Sequence, residues 1–172
     1  ARAADGLDRE AVARVLSAKG REERKPTGLL LSGVEMLERV AENIPAAARI
    51  LMERFWPGPL SLILPGRPDL PPGVLGEGRG VSARAPGSAV ALEIVRLAGR
   101  PVTATSANRA GGNPPRTADD VERSLGNLLD AVLDAGETPG GSPSTLVDVR
   151  GEKPILIREG EIPWEVVISG LK

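Results

Sequence analysis

Residues 101–115, PVTATSANRAGGNPP, pass abruptly from strand-forming residues into hydroxyl, amide and glycine residues. Residues 102–105 favour a strand, whereas Ser106, Asn108 and the pair Gly111 and Gly112 offer a hydroxyl, an amide and bare backbone donors. This is the composition of a strand that ends in a ligand loop, and also of a strand followed by an ordinary turn. A second hydroxyl-bearing glycine loop, GETPGGSPS, ends at Ser144. Lys19, Arg21, Arg24 and Lys25 crowd one short run, which fits either a phosphate clamp of guanidinium and ammonium groups or a solvated helix end favoured by the macrodipole. Arg84 and Arg158 sit inside apolar strand patterns, where a charge has to pair, reach an edge or meet an anionic ligand. Two such arginines together with two hydroxyl-bearing glycine loops point to an anion-binding cleft.

Composition narrows the chemistry. The chain of 172 residues contains neither histidine nor cysteine, which excludes Ser/His/Asp and Cys/His nucleophiles and zinc held by thiolate or imidazole. Carboxylates, hydroxyls, Lys, Arg, backbone amides and hard cations such as magnesium are left, a set that fits phosphate esters. With 22 basic and 23 acidic residues the formal net charge is −1, so no global field draws the chain to nucleic acid or an anionic membrane. Phe55, Trp56 and Trp164 are the sole aromatics, too few for base-stacking platforms. No apolar run approaches the roughly 18 residues of a membrane span, and the reading is a soluble, cytoplasmic protein.

The elements that must position these groups alternate along the chain. Asp8 caps a predicted helix to about residue 18, with Val12, Val15 and Leu16 on one face and Gly20 as its stop. A buried strand is expected at 29–31, helices at 34–41 and 45–55, and a strand at 60–64 after the rigid WPGP turn. Strand 81–85 places Arg84 opposite Ala83 and Ala85; helix 88–97 stops at Gly99 before strand 102–105. Thr117 caps a helix over 118–125, Val132 and Leu133 are expected to form a short strand, residues 145–149 and 154–160 a strand pair, and Pro163 a last short helix. The alternation predicts one layered α/β domain with a mixed, twisted sheet flanked by helices and a ligand cleft at strand ends.

KGR at 19–21, WPGPLSLIL, VSARAP, TSAN, the Ser144–Thr145 step before VDV, and ILIREG resemble, in this order and at comparable spacing over about 160 residues, the YrdC/Sua5 family. The resemblance implies a YrdC-like open sheet and formation of threonylcarbamoyl-adenylate for the t6A modification of tRNA. Threonine and bicarbonate would form a carbamate whose carboxylate attacks the α-phosphorus of ATP, with Mg2+ accompanying ATP and pyrophosphate leaving. By position, Lys19 and Arg21 correspond to the cationic pair facing the ATP phosphates, and Lys25, Gly80, Ser106, Asn108, Pro114 and Arg158 to further nucleotide contacts. Arg84 corresponds to the arginine that binds the threonine carboxylate, and Ala104 and Ser144 to neighbouring threonine contacts. The implied partners are the small-molecule substrates, a tRNA-modifying complex that receives the adenylate, and at most weak RNA binding.

Three departures from the family pattern shape the expectations. The chain begins just after the family's usual first strand and Pro-Thr-Asp-Thr-type turn, so a threonine-binding wall and a strand are expected to be missing, with unpaired backbone unless another segment covers it. Leu30 stands where many members have histidine, and Glu22 follows KGR where proline is usual. Two other readings stay open: the carbamoyl-adenylate-forming domain of a hydrogenase-maturation carbamoyltransferase, and a noncatalytic nucleotide- or RNA-binding module.

Overall fold

Leu60, Leu62 and Leu64 alternate with Ser61 and Ile63, a period of two that sends the leucines to one face of a strand. In the computed structural model, which describes residues 1–20, 26–108 and 112–171 with the side chain of Lys19 also left out, that strand is β2 (Leu60–Pro65) and its three leucines are wholly buried. It lies inside a six-stranded sheet with β1 (Gly28–Leu30), β3 (Gly80–Arg84), β4 (Val102–Ala104), β5 (Thr145–Asp148) and β6 (Ile155–Arg158), in the order β4-β1-β3-β2-β5-β6. β1 with β3 and β2 with β5 run parallel, and the other neighbours run antiparallel. The sheet is therefore mixed, as the alternation predicts.

Helices α1 (Arg9–Lys19), α3 (Ala89–Ala98) and α4 (Ala118–Leu125) start at side-chain caps, whereas α2 (Ala46–Phe55) and α5 (Trp164–Ser169) start after Pro45 and Pro163. The Asp8 carboxylate accepts from the N–H groups of Glu10 and Ala11, and Gly20, at φ 64°, closes α1 in the left-handed conformation. Ser88 and Thr117 cap α3 and α4 in the same way. Val12 and Leu16 of α1, Leu51 and Met52 of α2, and Val95 of α3 join the sheet leucines in one core. Each such side chain contributes roughly 1.5–3 kcal/mol by leaving water. Among the described residues no helix is long and apolar enough to cross a membrane.

Two expectations change. Val132 and Leu133 form no strand, and Leu133 is 75% exposed. β5 already has neighbours on both sides, and an apolar pair bounded by Ala131 and Asp134 is too short to hold a ladder alone. The segment expected as a helix at 34–41 is a 3-10 helix over Val34–Arg39, uncapped at Gly33, after which Ala41 bridges Gly66 and draws the chain back to extended pairing.

The outer edge of β4 is covered by the first residues of the chain. The Arg2 N–H donates to the Thr105 carbonyl (2.7 Å), the Thr105 N–H returns to Arg2 (3.2 Å), and the Thr103 N–H donates to Ala4 (2.8 Å). The backbone gain brings a cost, because Arg2 is 5% exposed and its Nε, Nη1 and Nη2 have no hydrogen-bond partner. Burial pulls its pKa down. On the other side of the sheet, Arg150 is clamped: its Nη2 donates to Asp148 Oδ2 (2.6 Å) and its Nη1 to the carbonyls of Glu77 (2.8 Å) and Gly78 (3.0 Å). This ties the turn before β3 to the end of β5. The hydrogen bond from Arg150 holds the Asp148 carboxyl below its ordinary value.

Replacing Arg2 by leucine is expected to stabilise the fold by roughly 1–4 kcal/mol, read by urea unfolding, since an uncompensated buried charge gives way to an apolar side chain. Asp148→Ala is expected to cost roughly 1.5–3 kcal/mol at neutral pH. Because the folded pKa is lowered, this contribution is complete above the ordinary value of 3.8 and fades as pH falls through the folded value. Wild-type and variant stabilities should therefore converge in acid, and a difference independent of pH would contradict the assignment.

Candidate functional site

The face of β2 that the core leucines do not use carries the first polar cluster. Leu62 pairs with Ala83, and one residue beyond that pair stand Ser61 and Arg84 on the opposite face. Ser144 immediately precedes β5, and Thr145 pairs with Leu60. The Ser61 and Ser144 hydroxyls lie 2.8 Å apart. From β6, which pairs Arg158 with Leu146, the Arg158 guanidinium reaches back to the same loop. Its Nε and Nη2 donate to the Ser144 carbonyl (3.2 and 2.8 Å), and Nη2 also donates to Ser144 Oγ (3.3 Å). Three strands and one loop thus bring Arg84, Ser61, Ser144 and Arg158 together.

Thr145 fixes the floor of this cluster. Its hydroxyl donates to the Ile162 carbonyl (2.6 Å) and accepts from the N–H groups of Gly160 (3.0 Å) and Ile162 (3.1 Å). The Glu161 N–H donates to Pro143 (2.9 Å), so the chain leaving β6 is stitched to the loop entering β5. Gly160 is required for that approach: a Cβ there would stand 2.1 Å from the Pro143 carbonyl oxygen and 2.6 Å from the Ser144 carbonyl carbon.

The cluster is electropositive. Burial pulls the pKa of Arg84 down, Glu161 opposes that shift, and the neighbouring Arg158 charge adds to it. Neither arginine belongs to a salt bridge among the described residues. Two guanidinium groups beside a hydroxyl, with one exposed carboxylate nearby, suit a ligand bearing a carboxylate and a cationic or neutral group.

The second cluster lies toward the other end of the sheet. β4 runs antiparallel to β1, so Ala104 stands beside Gly28, whereas Arg84 stands beside Leu30. Ser106, Ala107 and Asn108 continue away from Arg84, and buried Ala107 anchors the loop. Asn108 Nδ2 donates to the Gly112 carbonyl (2.5 Å). Asn108, Pro114, Arg116 and Glu137 line a cavity of about 610 Å³. Gly80 begins β3, where a Cβ would stand 2.7 Å from Ile63 Cγ2 and 2.9 Å from Arg150 Nη1, so its small size serves packing. Arg21 and Lys25 lie outside the described residues, as does the Lys19 side chain. A separate cavity of about 390 Å³, bounded by residues 2–5, α1 and residues 128–131, is bordered by Arg2 and by none of the candidate site residues.

Arg158, which the resemblance assigns to the nucleotide, donates to Ser144, which it assigns to threonine, and Ala104 ends the strand that leads into the Ser106 loop. Ser61 and Glu161 were not anticipated. The signal for Ser61 was present in LSLIL, where the alternation puts a hydroxyl on the non-core face; Glu161 sits past the end of β6, where no period applies. Among the described residues no group of three or more acidic side chains could hold a metal ion.

A family model for Sua5, YciO and YrdC proteins, described as telomere recombination, matches residues 2–160. A Pyrococcus abyssi protein named threonylcarbamoyl-AMP synthase is 37% identical over 164 residues, 95% of this chain and 48% of its own length. The crystal structure of P. abyssi Sua5 complexed with L-threonine superposes with a TM-score of 0.90 at 36% identity, over 98% of this chain and 49% of that one. The chain thus spans about half the length of these archaeal relatives. Full-length HypF in a phosphate- and nucleotide-bound form shares the fold at a TM-score of 0.74 and 16% identity, covering 92% of this chain and 25% of that one.

Gly160→Ala is expected to force the Pro143–Ser144 backbone from its place, destabilising the protein by roughly 1–3 kcal/mol and shifting the backbone amide resonances of Ser144 and Thr145. Unchanged stability and unchanged resonances would show that the two loops part more easily than these distances require.

Proposed function

Because the chain belongs to the Sua5–YciO–YrdC family, we propose that it makes threonylcarbamoyl-adenylate from ATP, L-threonine and bicarbonate, the activated intermediate for t6A modification of tRNA. The observation that carries this reading is the Arg84–Ser144–Arg158 cluster: a half-buried guanidinium with no salt bridge among the described residues, next to a second one held by a serine carbonyl. It suits the carboxylate of an amino acid. The named activity of the P. abyssi relative supports the choice of threonine.

In the proposed reaction the threonine amine adds to bicarbonate and water leaves, giving a carbamate. A carbamate oxygen then forms a bond to the α-phosphorus as the bond from that phosphorus to the departing oxygen breaks, and pyrophosphate leaves. Such a transfer asks the protein for alignment and charge neutralisation rather than for a nucleophile, in agreement with a chain that has no histidine or cysteine. Arg84 and Ser144 hold the threonine carboxylate in this reading. Arg158 Nη1, which takes no part in the bonds to Ser144, is left for the ligand. Lys19, Arg21 and Lys25 neutralise the phosphates, with Ser106, Asn108, Gly80 and Pro114 along the nucleotide. Magnesium would accompany ATP as its counter-ion and neutralise phosphate charge. The labile product is handed to a tRNA-modifying complex in the cytoplasm.

The test is pyrophosphate release by this chain with ATP and magnesium, with threonine and bicarbonate each present or withheld. Release that requires both is expected. Arg84→Ala should weaken threonine binding more than ATP binding and Arg21→Ala the reverse, each by about 10- to 150-fold for the loss of one charge-assisted contact. Equal losses for both ligands would contradict the division of the site. No release, with RNA affinity that falls steeply with salt, would favour a noncatalytic RNA-binding module instead.

A further inference from the structure

Ser61 is 9% exposed, and Ser144 is the one partner of its hydroxyl among the described residues. A serine hydroxyl carries one proton and two lone pairs, so the 2.8 Å contact between the two oxygens has two possible polarities. If Ser144 donated, the Ser61 proton would be left in a nearly dry site with nothing to receive it. If Ser61 donates, its proton is satisfied and the remaining proton belongs to Ser144, which borders the cleft. The second polarity is the favoured one, because a buried donor left unmade is the costlier arrangement.

Arg158 completes the constraint. Its Nη2 donates to Ser144 Oγ at 3.3 Å, taking one lone pair, while Ser61 takes the other. With both lone pairs engaged, Ser144 Oγ accepts nothing more and can only donate. We propose that Ser61 is a positioning residue that makes the Ser144 hydroxyl an obligate hydrogen-bond donor, so that this point of the cleft selects an acceptor oxygen, the carboxylate of the amino-acid substrate, over a donor such as an ammonium or alcohol proton. This rests on the reading of the cluster as a threonine site. Ser61 acts through Ser144 and touches no reacting atom in this scheme.

The site has the polarity such a role needs. Arg84, Arg158 and the Ser144 proton present three donors, and the neighbouring Thr145 hydroxyl is occupied with Ile162 and Gly160. The alternation of β2 makes the position available: a residue on the leucine face could not reach Ser144.

The experiment is calorimetric titration of wild type, Ser61→Ala, Ser61→Thr, Ser144→Ala and the double alanine variant with L-threonine, with L-threoninol, which lacks the carboxylate, and with ATP. Ser61→Ala is expected to raise the Kd for L-threonine about tenfold, the weakening of one charge-assisted hydrogen bond, and to leave ATP binding unchanged. Ser61→Thr should restore affinity, Ser61→Ala should narrow the preference for L-threonine over L-threoninol, and it should add nothing on the Ser144→Ala background. A merely structural role would move ATP and L-threonine together. Wild-type affinity for L-threonine in Ser61→Ala, parallel losses for both ligands, or additive effects of the two alanines would overturn the proposal. Wild-type protein that binds no L-threonine would overturn the activity reading and this one with it, whereas intact wild-type binding with an indifferent Ser61→Ala would overturn this one alone.

Discussion

Leu60, Leu62 and Leu64 are wholly removed from water on one face of β2, and that burial holds the strand in a single register between β3 and β5. A slip of one residue would turn three leucines toward the cleft and Ser61 into the core, which the hydrophobic term forbids. Arg84 on β3 and Ser144 at the mouth of β5 depend on this register for their places beside Ser61. The polar cluster is in that sense the reverse side of the hydrophobic core.

Around this frame the cleft is built by close backbone approach rather than by a dense web of ion pairs. Thr145 ties the entry of β5 to the chain leaving β6, and Gly160 lets the two backbones meet where any side chain would collide. Arg158 is thereby spent partly on the protein itself, two of its nitrogens holding the Ser144 loop, while Arg84 keeps a half-buried charge without a salt bridge among the described residues. A guanidinium in that position bears a desolvation cost that an anionic partner would offset. The Arg150–Asp148 clamp does the opposite work: its charges are satisfied internally and stiffen the far end of the sheet.

Local signals made much of the architecture legible. Asp8, Ser88 and Thr117 mark helix starts because their side chains can satisfy N–H groups that a helix leaves unpaired, and Gly20 and Gly99 mark ends because they accept a left-handed backbone. The strand alternations likewise put Ala83 and Arg84 on opposite faces. Val132 and Leu133 misled because β-propensity says nothing about whether a neighbouring edge is available, and residues 34–41 misled because apolar spacing does not separate an α-helix from a 3-10 turn pulled short by pairing at Ala41. For the site, Arg84, Arg158 and the loops of Ser106 and Ser144 could be grouped as one anion-binding cleft, but which side chain contacts which could not be read from their spacing.

Residue type and spacing alone determined that this is a mixed α/β chain of the Sua5–YciO–YrdC family, with a chemistry free of histidine and cysteine and rich in guanidinium and hydroxyl groups. The fold class is carried by periodicity and caps, the chemistry by composition, and the family by the ordered motifs from KGR to ILIREG. Tertiary structure decided that Arg158 leans on Ser144, that the Ser61 hydroxyl lies 2.8 Å from that of Ser144, and that Ala104, which leads into the Ser106 loop, stands beside Gly28 whereas Arg84 stands beside Leu30. These are matters of strand order and register between segments as much as 83 residues apart, as for Ser61 and Ser144. They follow from which buried faces pack together, a global minimisation that no short stretch of sequence encodes by itself.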